Sequence, residues 1–475
     1  MMMNPALRVL KNSTALSVAV LFERGVAFFL PWYIARTQGR ELWGSYNTAV
    51  TFVTIAAPFA FWGMEQLLPR EIARDRTRPG LFLANGSLIA TIMSLVVTAA
   101  TLGIIYLLNY PPALASLFYL AVISNVLPRA EAAIGEGIVN GLEKMEWVGA
   151  ARLLTTLLRT VVSIALLSLG HPLEYLFILW GIQHVALSLI YLGVLRYLVP
   201  GFRLEVDWGL LRSLYVRAVP FVLIIFAGEA FRQVDRIFIS KLWDTEAVGL
   251  YATGVLLIQV MNLVAPAVMT ALFPGMSRAY VSSVSRFTTI SGQLFRLILV
   301  GIVPVTLLII SLGDWIVLLG FGAEYEPSIA VLRITAISII PSFTARLLYR
   351  VLLASDNERL AVRAAVLRSV ANLGLNIWLI PTYGILGASV AMVVTEFVGL
   401  LQNLYYVRYR VIPFDVRGAV LRPGLCALVA GLIYVPLLGW HALGAAVVAS
   451  ALFIALIFAS RSLTVAELRG FFHHS

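Results

Sequence analysis

Fourteen apolar stretches of membrane-spanning length determine what this chain can fold into. About 20 apolar residues cross the hydrocarbon core of a bilayer as an α-helix. Only 12% of the residues are charged, against about 25% in soluble domains, so a water-soluble core would lack the polar residues to cover it. The sequence therefore predicts an all-α polytopic membrane protein with about 14 transmembrane helices. The stretches fall at about 14–35, 44–68, 81–107, 114–140, 147–169, 174–195, 216–240, 247–273, 290–312, 328–353, 361–380, 385–407, 419–438 and 441–460.

Charges in the loops predict the orientation in the membrane. Of the 35 lysines and arginines, 22 lie at the termini, in every second loop or in the stretch ends that adjoin those loops, three lie in the other loops, and ten lie elsewhere inside the stretches. Basic residues concentrate in cytoplasmic loops, so we expect a multi-pass protein of the cell (inner or plasma) membrane with both termini in the cytoplasm. The basic loops also suit anionic membrane lipids. No basic stretch is interleaved with stacking aromatics, so we expect no nucleic-acid partner.

The sequence carries no motif of an enzyme or of a metal site. It has no phosphate-binding loop for ATP hydrolysis, and no histidine–carboxylate cluster has the spacing of metal ligands. The single cysteine, Cys426, lies in an apolar run and is predicted to be a small buried hydrophobe. The first stretch contains Glu23 and Arg24 and is predicted to be a retained helix, not a cleaved signal segment. We expect no catalytic activity, no cofactor and no metal.

An internal repeat divides the chain. At an offset of 205 residues, IARTQGRELWGSYNTAV (34–50) aligns without a gap with ISKLWDTEAVGLYATGV (239–255), and over the whole match ten of 36 positions are identical. The matches include residues that hydropathy does not dictate, among them Gly44 with Gly249. Transporter halves often retain such symmetry.

The repeat predicts the domain organisation. Its unit is six helices, and an even number preserves orientation, so the two lobes are expected to be parallel. We expect an N-lobe of six helices over residues 1–205, a C-lobe of six over 206–410, and an appended helix pair with a cytoplasmic tail over 411–475.

Three stretches resemble signatures of one transporter family. Residues 34–74 read IARTQGRELWGSYNTAVTFVTIAAPFAFWGMEQLLPREIAR and resemble the first-loop and second-helix signature of polysaccharide transporters. Residues 217–254, RAVPFVLIIFAGEAFRQVDRIFISKLWDTEAVGLYATG, resemble their seventh helix, and residues 372–396, NLGLNIWLIPTYGILGASVAMVVTE, their eleventh and twelfth. The family comprises the lipid-linked oligosaccharide flippases of the multidrug/oligosaccharidyl-lipid/polysaccharide superfamily. The resemblance covers about residues 10–410.

The resemblance implies two six-helix lobes facing each other across a central cavity, with alternating access by rocking. The implied cargo is a polyprenyl-pyrophosphate-linked oligosaccharide, moved from the inner to the outer leaflet, with a glycan polymerase or glycosyltransferases as further partners. The appended pair resembles the fourteen-helix branch, which includes lipid II flippases and associates this pair with a groove for the lipid tail. A packing or dimer surface is the alternative for these two apolar helices.

Ten arginines lie inside the stretches apart from those assigned to the loops, and each charge costs about 2.5–3.5 kcal/mol at a helix centre. The planar guanidinium binds phosphate oxygens bidentately and stays charged, so this set predicts a wet, electropositive interior for an anion. In the alternative reading, each guanidinium is neutralised by a carboxylate in a structural pair. The ten are Arg24, Arg129, Arg152, Arg159, Arg232, Arg236, Arg333, Arg346, Arg350 and Arg368.

Helical spacing places several of these charges on shared helix faces and yields candidate site residues. The candidates for the pyrophosphate are Arg24, Arg129, Arg232, Arg236, Arg346 and Arg350. The candidates for ion coupling or charge balance are Glu23, Glu229 and Asp235, and those for sugar hydroxyls are Asn372 and Asn376.

The remaining polar groups are predicted to have supporting roles. Arg152 and Arg159 share one helix face and are expected to line the cytoplasmic mouth. The groups expected to pair with or pack against neighbours are Arg333, Glu65, Glu396 and His184, the last with a proton relay as its alternative.

The function predicted from these features is export of a lipid-linked oligosaccharide by alternating access. A multidrug cation antiporter on the same fold is the first alternative, disfavoured because cationic drugs need acidic, aromatic cavities. A peptidoglycan lipid II flippase and a non-transporting scaffold for glycan synthesis are the others. An inside-negative potential would favour export of the pyrophosphate by about 2.3 kcal/mol per charge per 100 mV, and cotransport of a proton or sodium is the alternative energy source.

Overall fold

The computed structural model of the protein is all-α in the residues that it describes. These are residues 5–225, 231–439, 441–460 and 462–463, with side chains described except at 5–21, 24, 223–225, 231–232, 262–275, 277 and 438. The helices are α1 (Pro5–Ala60), α2 (Met64–Arg74), α3 (Pro79–Leu107), α4 (Pro112–Gly141), α5 (Met145–Ser168), α6 (Glu174–Leu198), α7 (Trp208–Ile225), α8 (Phe231–Leu242), α9 (Thr245–Ser282), α10 (Val284–Ser311), α11 (Pro327–Ala336), α12 (Ile339–Ala354), α13 (Glu358–Tyr406), α14 (Arg422–Leu438) and α15 (Ala442–Ala459). A 3₁₀ turn at Ala323–Tyr325 and π-helical turns at Trp315–Leu319, Val407–Val411 and Arg417–Leu421 lie between them.

The polytopic membrane fold predicted from the sequence is confirmed. Ten helical segments in the described part of the chain are long and apolar enough to cross a membrane. Their ends lie close to the predicted ones, as Pro79–Leu107 and Glu174–Leu198 do against 81–107 and 174–195. Two segments, of 50 and 54 residues, are each long enough for two crossings.

Positive-φ glycines interrupt the two longest helices. Gly39 in α1 has φ 80° and ψ 169°, and Gly384 in α13 has φ 55° and ψ −130°. Glycine populates this region readily because it has no Cβ. The kinks fall between predicted stretches, so each long helix is two helices joined without a loop. This division gives twelve segments, and α7–α8 and α9 lie where the other two were expected; the count of fourteen stays a prediction.

The chain forms two compact units, Met1–Gly249 and Leu250–Ser475. The first contains α7 and α8 in addition to the six preceding helices, because α7 packs on α2 and α3 and α8 packs on α1. The lobe boundaries predicted at 205 and 410 describe the sequence repeat and remain a prediction.

Aromatic stacking and ion pairs hold α7 against the end of α1 and against α2. The ring of Trp62 stacks on that of Tyr215, with centroids 4.8 Å apart, and its Nε1 donates to the Tyr215 carbonyl at 3.0 Å. The carboxylate of Glu71 accepts from Arg217 on α7 and from Arg74 at 3.3 Å. The aromatic pair contributes about 0.5–1.5 kcal/mol beyond its buried area, so these contacts fix the start of the second repeat against the first.

Helices α1 and α9 cross at two glycines that the repeat makes equivalent. A Cβ on Gly44 would lie 1.6 Å from the carbonyl oxygen of Thr245, and a Cβ on Gly249 would lie 2.0 Å from that of Arg40. The contacts are reciprocal, because the offset of 205 residues maps Arg40 onto Thr245. Arg40 Nε also pairs with Glu246 at 2.9 Å. Small residues allow membrane helices to approach this closely.

In the second unit, α14 and α15 pack on α10. The hydroxyls of Ser311 and Tyr434 are hydrogen-bonded at 2.7 Å, and Phe453 and Cys426 are buried in the same core. The prediction that Cys426 is a buried hydrophobe is thus confirmed. One face of the appended pair serves packing within this unit, while residues such as Val447 leave the other face exposed.

We expect Gly44→Ala and Gly249→Ala each to lower the melting temperature of the purified protein by several degrees. The added Cβ overlaps the facing backbone, and two helices have to move apart to admit it. Differential scanning fluorimetry in detergent measures the effect. The matched control is Gly103→Ala, where a Cβ meets nothing within 4 Å and alanine favours the helix by roughly 0.5–1 kcal/mol. Glycine variants as stable as this control would contradict the close crossing.

Candidate functional site

A cavity of about 790 Å³ lies inside the first unit. Its walls come from α1, α2, α4, α5 and α6. Three carboxylates and three guanidinium groups share the lining, together with uncharged polar and aromatic side chains. The charged residues are Glu23, Glu65, Glu136, Arg129, Arg152 and Arg159, and the main neutral polar ones are Thr54, Gln66, Thr156, Trp180, Gln183 and His184.

Helical periodicity explains why these residues face one space. Residues three, four and seven positions apart lie on one face of a helix. The lining follows this rule on three helices, with Arg129, Ala132, Ala133 and Glu136 on α4, Arg152, Thr156 and Arg159 on α5, and Trp180, Gln183, His184 and Leu187 on α6. Each of these three helices is therefore amphipathic with its polar face turned toward the cavity, whereas a helix on the surface of a soluble protein turns its polar face toward the solvent.

Two carboxylates on α4 have different surroundings. Glu136 faces the cavity, where Arg152 Nε donates to its Oε2 at 3.0 Å and Arg152 Nη2 lies 3.0 Å from the same oxygen in an ion pair. Glu131 lies on the opposite side of α4, where its Oε1 accepts from the Thr91 hydroxyl of α3 at 3.0 Å. Arg152 is thus held by a carboxylate, which is the structural alternative that the sequence left open for every arginine.

The other two cavity arginines share an aromatic partner. The guanidinium carbons of Arg129 and Arg159 lie 5.9 and 5.8 Å from the centroid of the Trp180 ring. Such cation–π contacts contribute about 0.5–1 kcal/mol when exposed and 2 or more when desolvated. The Nε–H of Arg159 is buried and has no hydrogen-bond acceptor among the described residues. The Trp180 side of the cavity therefore holds two cations against one indole.

Hydrogen bonds fix the neighbouring polar groups of α6. His184 Nδ1 lies 2.9 Å from the Trp180 carbonyl; a carbonyl only accepts, so Nδ1 carries the proton. The amide nitrogen of Gln183 donates to the Thr156 hydroxyl at 3.0 Å. His184 has the satisfied hydrogen bond that the sequence analysis expected, and it also lines the cavity.

The predicted site residues of the first unit are only partly brought together. Glu23 and Arg129 both line the cavity. Arg236 is buried on α8, where its Nη1 donates to Gln233 at 2.9 Å, and the Asp235 carboxylate accepts from the Arg236 backbone N–H at 2.8 Å. The predicted residues that lie outside the described side chains are Arg24, Glu229 and Arg232.

The predicted residues of the second unit lie on α12 and α13. Arg346 and Arg350 are partly buried on α12, and both make contacts. On α13 the Asn376 amide donates to Asn372 at 3.0 Å, and the Asn372 amide donates to the Thr395 hydroxyl at 3.2 Å. These amides join the two halves of α13 across its kink, so part of their hydrogen-bonding capacity is used within the protein.

Two arginines of the second unit have carboxylate partners. Arg333 Nη2 pairs with Asp314 at 2.9 Å, which agrees with the structural role predicted for it. Arg368 Nη1 lies 3.5 Å from Glu396 Oε2, and Glu396 was expected to be a partner of this kind. Both guanidinium groups follow the structural reading.

The sequence analysis did not select two residues that the cavity brings together. Arg159 was placed only at the mouth, and Trp180 was not considered. A signal was present, because Arg152 and Arg159 share a face of α5 and Trp180 and His184 are four residues apart on α6. Nothing in the spacing, however, reports that α4, α5 and α6 turn those faces toward each other.

Two family models match this sequence. The model for polysaccharide biosynthesis proteins matches residues 9–280, and the model for the lipid II flippase MurJ matches residues 211–458. Each match covers more than half of the 475 residues.

Curated relatives match at low identity. The probable low-salt glycan biosynthesis flippase Agl15 of Haloferax volcanii is 24% identical over 408 residues, which are 83% of this chain and 83% of Agl15. The capsular polysaccharide biosynthesis protein CapF of Staphylococcus aureus is 20% identical over 197 residues, which are 41% of this chain and 50% of CapF.

Solved structures share the fold. The lipid II flippase MurJ in an inward closed conformation superimposes with a TM-score of 0.76 at 16% identity, covering 94% of this chain and 99% of MurJ. An inward-facing multidrug resistance MATE family transporter of the MOP superfamily gives 0.68 at 14% identity, covering 83% of this chain and 94% of that transporter. With the family matches, these findings identify the chain as a member of the polysaccharide biosynthesis protein family, the flippase-type membrane transporters of the multidrug/oligosaccharidyl-lipid/polysaccharide superfamily that its sequence resembles.

Proposed function

We propose that the protein moves a polyprenyl-pyrophosphate-linked oligosaccharide from the cytoplasmic to the outer leaflet by alternating access. The observation that carries this proposal is the cavity of the first unit, where three guanidinium groups lie among membrane-spanning helices. Family membership supports transport of a lipid-linked saccharide, and the curated relative Agl15 is described as a glycan biosynthesis flippase.

The chemistry of the cavity suits the head group of such a lipid. Small-molecule sites have volumes of about 300–1,000 Å³, and about 790 Å³ gives room for a diphosphate and its first sugars. Guanidinium groups bind phosphate oxygens through charge-assisted hydrogen bonds, and the Gln66, Gln183 and Thr54 side chains offer partners for sugar hydroxyls. The polyprenyl tail needs no polar cavity and stays in the bilayer.

The proposal includes a location and partners. We place the protein in the cell membrane with both termini in the cytoplasm, as the loop charges predict. Enzymes that build the lipid-linked glycan or polymerise it, such as glycosyltransferases and a glycan polymerase, would act before and after it.

A multidrug cation antiporter is the second candidate function. The carboxylates Glu23 and Glu65 in the same lining favour it, and so does the fold shared with a MATE family transporter. Arg129 and Arg159 oppose it, because a cationic drug would have to share the cavity with two guanidinium groups. A lipid II flippase is a variant of the leading proposal with a different saccharide.

In host cells that lack their own copy of this protein, we expect the wild-type protein to restore surface glycan, whereas Arg129→Gln should leave export blocked and lipid-linked precursor accumulated. The substitution removes a positive charge from the cavity. Arg333→Gln is the matched control, since it removes a membrane arginine that is paired with Asp314 elsewhere. Surface glycan is measured by lectin binding and the precursor by mass spectrometry of lipid extracts. Normal glycan in cells without the protein, together with new sensitivity to cationic drugs, would support the antiporter instead.

We expect the electrical potential alone to drive the flipping. The diphosphate carries negative charge outward, and each charge gains about 2.3 kcal/mol per 100 mV of inside-negative potential. Proteoliposomes with a potassium diffusion potential and no proton or sodium gradient test this. A potential of −100 mV supplies roughly 2.3 kcal/mol per charge. If the rate of flipping is the same at this potential as without it, but rises with a proton or sodium gradient, cotransport is favoured.

Transport of a charged head group also requires water in the cavity. With Cys426 replaced by serine, we expect Ala133→Cys to react with a charged methanethiosulfonate reagent, because the thiolate that reacts forms only where water is present. Val161→Cys is the control, since Val161 is 58% exposed on the outer surface of a membrane helix and should face lipid. Labelling is read by mass spectrometry. Failure of Ala133→Cys to react in any transport condition would argue against a hydrated cavity.

A further inference from the structure

We propose that Glu131 of α4, together with Ser87 and Thr91 of α3, forms a proton-binding site inside the membrane. The site lies outside the cavity, on the opposite side of α4. Its ligand is a proton, which the Glu131 carboxyl holds as the neutral acid. The site goes beyond the proposed function, because neither the binding of the saccharide nor its energy source uses this side chain.

Two hydroxyl groups contact the carboxyl. The Thr91 hydroxyl donates to Glu131 Oε1 at 3.0 Å, and Ser87 is the other hydrogen-bonding neighbour of the same carboxyl. The two hydroxyls are four residues apart, so they lie on one face of α3. A neutral carboxyl has one O–H donor in addition to its acceptors, and a hydroxyl both donates and accepts. Thr91 can therefore donate to Oε1 while Ser87 accepts the O–H of the acid, and the pair satisfies the neutral form.

No cation among the described residues acts on this carboxyl. Helix α3, from Pro79 to Leu107, has no charged residue. Arg129 precedes Glu131 by two positions, which places it about 200° around α4, on the cavity side. Arg217 of α7, which packs on α3, is paired with Glu71. The charged and titratable groups that α1, α2, α5 and α6 turn toward α4 line the cavity on its other side, namely Glu23, Glu65, Arg152, Arg159 and His184.

The depth of the site disfavours an ionised carboxyl. Glu131 lies ten residues before the end of α4 at Gly141, a distance of roughly 15 Å along the helix. The hydrocarbon core of a bilayer is about 30 Å thick, so the side chain begins near its middle. A carboxyl without a cation in such surroundings takes up a proton rather than keep its charge.

Glu136 on the same helix provides an internal comparison. It follows Glu131 by five residues and forms an ion pair with Arg152 at 3.0 Å. A neighbouring guanidinium favours the ionised carboxyl. Helix α4 therefore carries one carboxyl in each state, and a reagent that distinguishes the neutral acid from the carboxylate should distinguish these two residues.

Dicyclohexylcarbodiimide is such a reagent, because it is apolar and reacts with neutral carboxylic acids within membranes. The acid transfers its proton to one nitrogen of the carbodiimide, and the carboxyl oxygen adds to the central carbon. The acyl group then shifts to nitrogen, and the stable N-acylurea retains every atom of both reactants. Glu131 is half-buried, and Ile92 and Leu95 beside Thr91 are 50% and 63% exposed, so the site borders the surface that lipid and the reagent reach.

The experiment uses the purified full chain in nanodiscs, with the adduct located by peptide mass spectrometry. At neutral pH we expect at least tenfold more labelling of Glu131 than of Glu136. Labelling of Glu131 should fall as the pH is raised, and replacing choline chloride with sodium chloride at constant pH should leave it unchanged. Thr91→Lys supplies the missing cation and should reduce the labelling at least tenfold. Thr91→Val is the matched control, since it adds no charge and should remain labelled.

Equal labelling of Glu131 and Glu136 would overturn the site, and so would protection by sodium, which would make it a sodium site. Infrared spectra cover the cases in which the reagent does not reach Glu131 or melting temperatures show that Thr91→Lys fails to fold. The difference between wild type and Glu131→Gln should contain the C=O band of a neutral acid, and carboxylate bands in its place would overturn the site. Neither measurement depends on transport, so failure of the protein to flip a lipid-linked glycan would overturn only the proposed function.

Discussion

A charge inside a bilayer has to be paired, stacked or hydrated, and this requirement organises the structure. Helices satisfy the backbone on their own, which leaves the side-chain charges to decide how helices are arranged. Arg152 and Arg333 each have a carboxylate partner, whereas Arg129 and Arg159 lie over an indole beside a cavity. A membrane protein can bury an ion pair against lipid or another helix, but the buried Nε–H of Arg159, which donates to no described residue, needs nearby water or an anion. Similar arginines therefore differ in their contacts. An arginine paired with a carboxylate supports the scaffold, whereas an arginine that lies over an indole beside a cavity marks a candidate site.

The sequence repeat acquires a physical meaning at the crossing of α1 and α9. Gly44 and Gly249 are identical at an offset of 205 residues, and each leaves room for the backbone of the other repeat. A close crossing leaves no room for a Cβ at either position, which is a physical reason for glycine at both equivalent positions of the repeat. The same contact helps to explain why the compact unit extends to Gly249, beyond the end of the first repeat. The start of α9 pairs with α1 through Arg40 and Glu246, α7 is held by stacking and an ion pair, and α8 packs on α1.

Helix positions could be predicted from the sequence, whereas side-chain partners could not. Apolar length is a local property, so the end of α3 was predicted at Leu107, where the structure has it. The fusion of two spans into α13 was not anticipated, because a positive φ at Gly384 bends a helix without the polar loop that usually marks a boundary. Arg129 was selected from its charge and position alone. Arg159 and Trp180 are 21 residues apart on different helices, and only the packing of α5 on α6 brings them together.

Because the fold is shared with transporters of different cargo, the arrangement of charges in the cavity has to determine which cargo binds. A multidrug transporter and a lipid II flippase superimpose on this chain with TM-scores of 0.68 and 0.76, so helix arrangement does not discriminate a cation from an anion. A count of cavity charges does not discriminate either, because the described lining has three carboxylates and three guanidinium groups. What differs is the kind of contact: Arg152 forms an ion pair with Glu136, whereas Arg129 and Arg159 both lie over the Trp180 ring. The pairing pattern of the cavity, in which Arg152 is paired with Glu136 and Arg159 lies over Trp180, is therefore the property that distinguishes it from another cavity of the same composition and fold.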